Sequence, residues 1–209
     1  MFTKIKRHKA LEIYPKFPQS NNFTEEFVYP KVYSNFILSL QAKSAKGHTK
    51  TLSKEVKKLC NNLNFSDLIF LGDTKTAWLY QENDYKPAKD AYDFLIENNI
   101  GKRFNGGLKV DLENIETFLY HFIWLTRSNG SLPYFYFSDE HQSFLGHICQ
   151  YGNLHIDILN HNIEDEFKQA VAKTNFEYFK DTHCYNQFSS FSRIPGRRIH
   201  SFSNLSTVS

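Results

Sequence analysis

The stretch LPYFYFSDEHQSFLGHICQYGNLHIDIL at residues 132–159 decides the fold class of this 209-residue chain. It holds three short runs of aromatic and aliphatic residues, which are typical of strands. The runs lie at Leu132–Phe137, Phe144–Tyr151 and Leu154–Leu159. Gly152 and Asn153 separate the last two runs, and both residues suit the positive φ of a tight hairpin turn. The sequence therefore predicts a three-strand antiparallel meander at about residues 132–159.

Outside the meander, the spacing of apolar residues predicts helices and one further hairpin. Leu68–Leu71 and Thr76–Tyr80 are short apolar runs separated by a Gly-Asp-Thr-Lys turn, so a hairpin is expected at about residues 68–80. The helices are predicted at 31–42, 54–62, 87–98, 111–127 and 163–173, with residues 45–51 as a loop. Helices and strands do not alternate as in βαβ units. This order favours an α+β fold, in which an antiparallel sheet has helices packed on one face.

Length and composition are those of one globular domain with a polar tail. Hydrophobic residues make 41% of the chain and charged residues 22%, so the chain can bury a core. Residues 1–186 are expected to form a single α+β domain, and the Ser- and Arg-rich residues 187–209 an extended or partly disordered tail. No apolar stretch is long enough for a membrane span, and the three cysteines form no CxxC pair. We therefore expect a cytoplasmic protein with no cofactor.

Charge is unevenly distributed along the chain. Residues 1–60 carry 12 Lys and Arg against 4 Asp and Glu, whereas residues 61–174 carry 9 against 16. Two basic clusters lie near the ends, at Lys4, Lys6, Arg7, His8 and Lys9 and at Arg193, Arg197, Arg198 and His200. These clusters leave nucleic acid open as a partner, while the acidic centre favours a basic protein partner.

The meander also holds the densest group of reactive side chains. Alternation places His147 and Cys149 on one face of the middle strand, and it places His155 with Asp157 on one face of the third. The imidazoles of His147 and His155 and the carboxylate of Asp157 are the donor set of a facial metal site. Alternatively, Cys149 is a nucleophile beside a histidine that Asp157 orients. The same residues also fit the solvated face of an antiparallel sheet, and no recognised ligand motif accompanies them.

A second candidate surface lies on the helix predicted at 111–127. Polar and aromatic side chains at three- and four-residue steps form a stripe, which consists of Glu113, Glu116, Tyr120, Trp124 and Arg127. Trp, Tyr and Arg are enriched among the residues that carry binding energy at protein interfaces, so the stripe is a candidate binding surface. The alternative is an amphipathic helix that is buried on both sides.

These patterns favour a protein-binding module over an enzyme, because no convincing catalytic signature is present. In its narrowest form the expectation is a bacterial inhibitor of the immunity-protein kind, which neutralises a basic toxin through an acidic, aromatic-bearing surface. The alternative is a metal- or histidine-dependent hydrolase or nuclease with its site on the 144–159 part of the meander. The first expectation assigns binding to the stripe, and the second assigns catalysis to His147, Cys149, His155 and Asp157.

Overall fold

An antiparallel sheet of eight strands forms the centre of the molecule in a computed structural model, which describes residues 2–20, 27–80, 84–128, 134–180 and 184–185. In chain order the strands are β1 (Phe2–Ile5), β2 (Gln19–Ser20), β3 (Phe27–Val28), β4 (Ser34–Ser39), β5 (Asp67–Gly72), β6 (Gly107–Asp111), β7 (Phe135–Ser138), β8 (Phe144–Ile148), β9 (Leu154–Ile158) and β10 (Glu177–Tyr178). The helices are α1 (Arg7–Ile13), α2 (Ala45–Asn62), α3 (Lys86–Glu97), α4 (Ile115–Arg127) and α5 (Glu164–Ala172). The sheet has the order β1-β6-β5-β7-β8-β9-β4-β10, and β2 pairs with β3 in a separate ribbon.

Both faces of this sheet are covered. Helices α2 to α5 pack on one face, where Phe70, Phe118 and Phe122 lie in a large aromatic core. The short helix α1 and the chain after it cover the other face, where Ala10 and Leu71 belong to a second core. Because strand residues alternate between faces, the central strand β5 is apolar on both sides and entirely buried. The predicted α+β class, with an antiparallel sheet and helices packed against it, is confirmed, and α1 adds a helix to the second face.

The predicted meander is present as β7, β8 and β9. Strand β8 pairs with β7 on one side and with β9 on the other, and both pairings are antiparallel. Gly152 has a φ of 83° in the β8–β9 turn, as the hairpin signature predicts. The amide of Cys149 donates to the carbonyl of Asn153 at 3.0 Å and closes this turn. Strands β8 and β9 begin at their predicted residues and end early, at Ile148 and Ile158, whereas β7 ends one residue later than predicted, at Ser138.

The helix predicted at residues 31–42 is wrong, because this segment contains strand β4. Two of its aligned pairs with β9 are Phe36 with Ile156 and Leu38 with Leu154. Leu38 is fully buried, and the ring of Phe36 stacks on Phe167 of α5 with centroids 5.7 Å apart. The apolar residues of this segment fit a helix locally, but pairing with β9 buries them on the helix-covered face. Tertiary contacts therefore outweigh the local spacing.

The first arm of the predicted 68–80 hairpin is strand β5, but residues 76–80 are not a strand. Strand β5 pairs with β6 on one side and with β7 on the other, so it has no free edge for a second arm. Trp78 instead turns into the core, where its indole N–H donates to the carbonyl of Gly106 at 3.0 Å. The apolar run after the turn thus reflects the burial of one large side chain.

Helix α2 begins nine residues before its predicted start at Lys54. Ser44 is its N-cap and accepts a hydrogen bond from the amide of Gly47 at 3.1 Å, so the residues predicted as the loop 45–51 are helical. Ser53, which looks like an N-cap in the sequence, lies inside the helix, and its hydroxyl donates to the Lys50 carbonyl at 3.0 Å. The first turns of α2 are polar in composition, so the sequence does not reveal that one face of the helix is buried there.

The remaining helices lie near their predicted positions. Pro87 occupies the first turn of α3, as predicted. Asp111 is the last residue of β6, and its carboxylate accepts hydrogen bonds from the backbone and side-chain amides of Asn114 at 3.0 and 2.6 Å. Asp111 therefore shapes the turn that precedes α4, and the helix itself starts at Ile115. The Ser- and Arg-rich tail at 187–209 and the boundary before it lie outside the described residues and stay predictions.

Candidate functional site

The two histidines of the meander lie side by side. His147 of β8 is directly opposite His155 of β9 in the strand register, and their rings stack with centroids 4.3 Å apart. The rings of Tyr134 and Tyr136 flank His147 at 4.9 and 5.5 Å. Both imidazoles are half-buried among these rings, so this part of the sheet face is an aromatic layer rather than an open solvated surface.

Asp157 is held by Tyr29, which lies in the chain between β3 and β4. The hydroxyl of Tyr29 donates to its carboxylate at 2.5 Å. Burial raises the pKa of Asp157, and the bond from Tyr29 and the nearby His155 oppose that rise. Burial also raises the pKa of Tyr29, so the phenol keeps its proton and remains the donor. The carboxylate of the predicted facial triad is thus engaged with Tyr29.

A different set of side chains converges beside His155. The Sγ of Cys184 lies 3.3 Å from His155 Nε2, and the ligand atoms of Cys149, His155 and Cys184 all lie within 4.8 Å of one another. Cys149 follows strand β8, and Cys184 comes from the chain beyond β10. The structure therefore brings together two of the predicted candidates, Cys149 and His155, with a cysteine that the sequence pattern did not indicate.

The two thiols of this cluster differ in their affinity for a proton. The hydrogen bond from Cys149 lowers the pKa of Cys184 to about 5, with further support from Asn153 and His155. Sharing that proton with Cys184, together with burial, raises the pKa of Cys149. The two thiols are therefore coupled, and the proton that they share favours Cys149.

Arg127 of the predicted stripe lies beneath this cluster. Only 3% of its surface is exposed, and its guanidinium donates to the carbonyl of Tyr151 at 3.1 Å and contacts His48 Nδ1 at 3.1 Å. Burial, with the Arg127 charge as a second cause, lowers the pKa of His48 to about 3, so this imidazole is neutral and accepts the bond. Burial lowers the pKa of Arg127 to about 10, which leaves the guanidinium charged at neutral pH. Arg127 thus fixes the hairpin that carries Cys149 and is not part of an exposed surface.

Two other members of the stripe line a groove between α2, α3 and α4. The groove has a volume of about 510 Å³ and forms where the first turns of α2 and α3 meet α4. Its lining residues are Ser44, Ala45, Lys46, Tyr85, Lys86, Pro87, Asp90, Tyr120, His121 and Trp124. Tyr120 and Trp124 therefore share one concave surface, which we call the aromatic groove. Glu113 and Glu116 do not line it; Glu113 is exposed and Glu116 is partly exposed.

The floor of the aromatic groove is aromatic and its rim is charged. Trp124 is 3% exposed, the ring of Tyr85 meets it edge-on at 6.0 Å, and its Nε1–H has no hydrogen-bond partner in the part of the chain that the structure describes. Burial lowers the pKa of His121, so this imidazole is neutral at physiological pH. Lys46 and Lys86 stand exposed at the rim. An unpaired buried donor is costly in a free protein, and a bound acceptor would remove that cost.

The basic N-terminus is tied to the body of the molecule. Lys4 donates to the Asn99 carbonyl at 2.9 Å, and Arg7 donates to the Gly72 carbonyl at 2.8 Å. Burial lowers the pKa of Arg7. The second basic cluster, at 193–200, lies outside the described residues, so a nucleic-acid surface made of both ends stays a prediction.

Comparisons with known proteins assign no class to this chain. It matches no protein-family model, no curated protein and no solved structure. Within the described ranges, none of the helices combines the length and the apolar character that crossing a membrane requires. Function is therefore argued from the sites alone.

Proposed function

We propose that the protein is a protein-binding module whose aromatic groove receives an acidic segment of a partner protein. The observation that carries the proposal is a solvent-open groove lined by Trp124, whose buried indole N–H has no hydrogen-bond partner among the described residues. Binding a carbonyl or carboxylate oxygen there would satisfy a donor that burial has already desolvated.

The anatomy of the groove supports a protein partner. Its aromatic floor is made by Tyr85, Tyr120 and Trp124, and its rim carries exposed charged side chains. An apolar, aromatic centre inside a polar rim is the usual arrangement of protein interfaces, where Trp and Tyr carry much of the binding energy. The floor would take an apolar or aromatic side chain of the partner.

The charge of the groove supports an acidic segment. Lys46 and Lys86 line it, and the first turns of two helices point their positive dipole ends towards it. Asp90 is the one acidic side chain among the described lining residues, and it is paired with Lys86 at 3.4 Å. The groove is thus locally positive although residues 61–174 are acidic as a whole.

A narrower form of the proposal makes the protein a bacterial inhibitor of the immunity-protein kind, acting in the cytoplasm. A basic toxin would then place an acidic loop in the groove and meet Glu113 and Glu116 with its basic residues. The support for this form is the excess of Asp and Glu over Lys and Arg in residues 61–174. The three free cysteines, Cys60, Cys149 and Cys184, also suit a reducing compartment.

Selection of displayed random short peptides on the immobilised protein tests the proposal. We expect enriched sequences to place Asp or Glu beside a large apolar residue. The double variant Lys46→Glu, Lys86→Glu should weaken the best peptide at least about tenfold at low ionic strength, because both rim charges are reversed. Lys54→Glu, Lys89→Glu is the matched control, since it changes exposed lysines of the same two helices that do not line the groove. Enrichment of basic peptides, or equal losses in the two double variants, would overturn the proposal.

A further inference from the structure

We propose that Cys149, His155 and Cys184 form a zinc-binding site. The cluster lies on the meander side of α4 and contributes nothing to the lining of the aromatic groove. The inference is therefore independent of the proposed binding function.

The spacing of the three ligand atoms fits one tetrahedral ion. Bonds of about 2.3 Å to sulfur and about 2.0 Å to nitrogen place tetrahedral ligand atoms about 3.5 to 3.8 Å apart. The atoms of Cys149, His155 and Cys184 lie within 4.8 Å of one another, and the sulfur of Cys184 lies 3.3 Å from His155 Nε2. The separations therefore exceed the tetrahedral distances by no more than about 1 Å.

The donor set selects the metal. Two thiolates and an imidazole are soft and borderline ligands, which favour Zn²⁺ over Mg²⁺ or Ca²⁺. The buried guanidinium of Arg127 lies close enough to Cys149 for the two groups to interact electrostatically. Zinc would replace the proton that Cys149 holds, and that proton would pass to solvent.

Neighbouring groups hold two of the three ligands, His155 and Cys149, in place before any ion binds. His155 is stacked on His147, and Cys149 lies in a turn that the guanidinium of Arg127 fixes through the Tyr151 carbonyl. Ligands held in position by neighbouring groups bind a metal more tightly than mobile ones. Three ligands from the described residues leave a fourth position, which water or a substrate can occupy.

Metal analysis of the full chain tests the inference. The protein is purified under reducing conditions with a tag that contains no histidine, and we expect about one zinc per chain. After removal of zinc, added Co²⁺ should give the intense thiolate-to-cobalt absorption of a tetrahedral site. Cys149→Ala and Cys184→Ala should each weaken Zn²⁺ binding at least about 100-fold, since each removes a ligand. Cys60→Ala is the control, because Cys60 is a buried core residue outside the cluster.

Thiol labelling keeps the test decisive if a variant fails to fold. In the unmodified chain Zn²⁺ should slow the labelling of the partly exposed Cys184 at least about tenfold. Zinc-free protein without a cobalt–thiolate band, an equal loss in Cys60→Ala, or unchanged labelling of Cys184 would overturn the inference. A Cys149–Cys184 disulfide in the freshly purified chain would do the same.

Discussion

Replacing Phe118 with alanine is expected to lower the free energy of unfolding by about 3 to 5 kcal/mol. The ring of Phe118 is fully buried, and its centroid lies 4.8 Å from that of Phe70 in β5 and 5.4 Å from that of Phe122 in α4. It therefore joins the central strand to the helix that carries Trp124 of the aromatic groove and Arg127, which holds the β8–β9 turn. Alanine removes this contact and leaves a cavity that the surrounding rings fill only in part. Equilibrium unfolding in urea measures the loss.

Thr117→Ala is the matched control for Phe118→Ala. Thr117 is the exposed neighbour on α4, so its replacement should change the free energy of unfolding by no more than about 0.5 kcal/mol. A loss below about 1 kcal/mol in Phe118→Ala would contradict the packing of α4 on the sheet. The positions of Trp124 and Arg127, which depend on that packing, would then be in error as well.

Replacing Gly152 with alanine is expected to cost about 2 to 4 kcal/mol of unfolding free energy. Gly152 has a φ of 83°, a conformation that costs alanine about 1 to 2 kcal/mol. A Cβ there would also lie 2.8 Å from His48 Cε1 and 3.0 Å from Arg127 Cζ, and crowding of this kind costs about 1 to 3 kcal/mol. Both neighbours are buried, so neither moves away freely. Urea unfolding again gives the measurement.

Gly101→Ala controls for the loss of a glycine as such. A Cβ at Gly101 would have no atom within 4 Å, so this change should be nearly neutral. Similar stabilities for Gly152→Ala and the native chain would mean that Arg127 does not press against the β8–β9 turn. The proposed support of Cys149 by Arg127 would then fail, although the zinc ligands themselves would be untouched.

Local patterns identified those elements whose structure is decided locally. The meander was predictable because its aromatic runs and the Gly152 turn specify strands and a hairpin without help from the rest of the chain. The segment containing β4 was not predictable, because the spacing of its apolar residues suits a helix. It forms a strand because Ser34–Ser39 pair with β9. The strand predicted at Thr76–Tyr80 was wrong for a similar reason, because a Trp78 that is buried outside any strand gives the same apolar pattern as a strand residue.

The site shows the same division between local and distant contacts. Strand alternation predicted that His147 shares a face with Cys149 and that His155 shares a face with Asp157. The strand register, which alternation does not give, places His147 opposite His155. Cys184 was out of reach, because only the tertiary fold brings it to a histidine 29 positions earlier. The one sequence signal for Cys184 was that no other cysteine lies near it in the chain. Strand alternation also could not predict that the hydroxyl of Tyr29 would donate a hydrogen bond to Asp157.

The stripe on α4 was predicted as one surface, but the structure divides it. Tyr120 and Trp124 line the aromatic groove, whereas Arg127, the last residue of the helix, is buried and does not line it. Helical spacing gives the residues of a face, but not what packs on it. The elements that cover Arg127 are α2 and the β8–β9 turn, and both are distant in sequence.

Binding by two tryptophan-to-phenylalanine variants tests the proposed function most directly. Trp124→Phe removes an N–H that has no hydrogen-bond partner among the described residues, whereas Trp78→Phe removes an N–H that donates to the Gly106 carbonyl. Calorimetric titration with the best selected acidic peptide should show an affinity about 3- to 10-fold lower for Trp124→Phe and unchanged for Trp78→Phe. The free energy of unfolding should change in the opposite order. Trp78→Phe should lower it by about 1 to 3 kcal/mol more than Trp124→Phe does. Native affinity in Trp124→Phe would contradict the groove as the binding site.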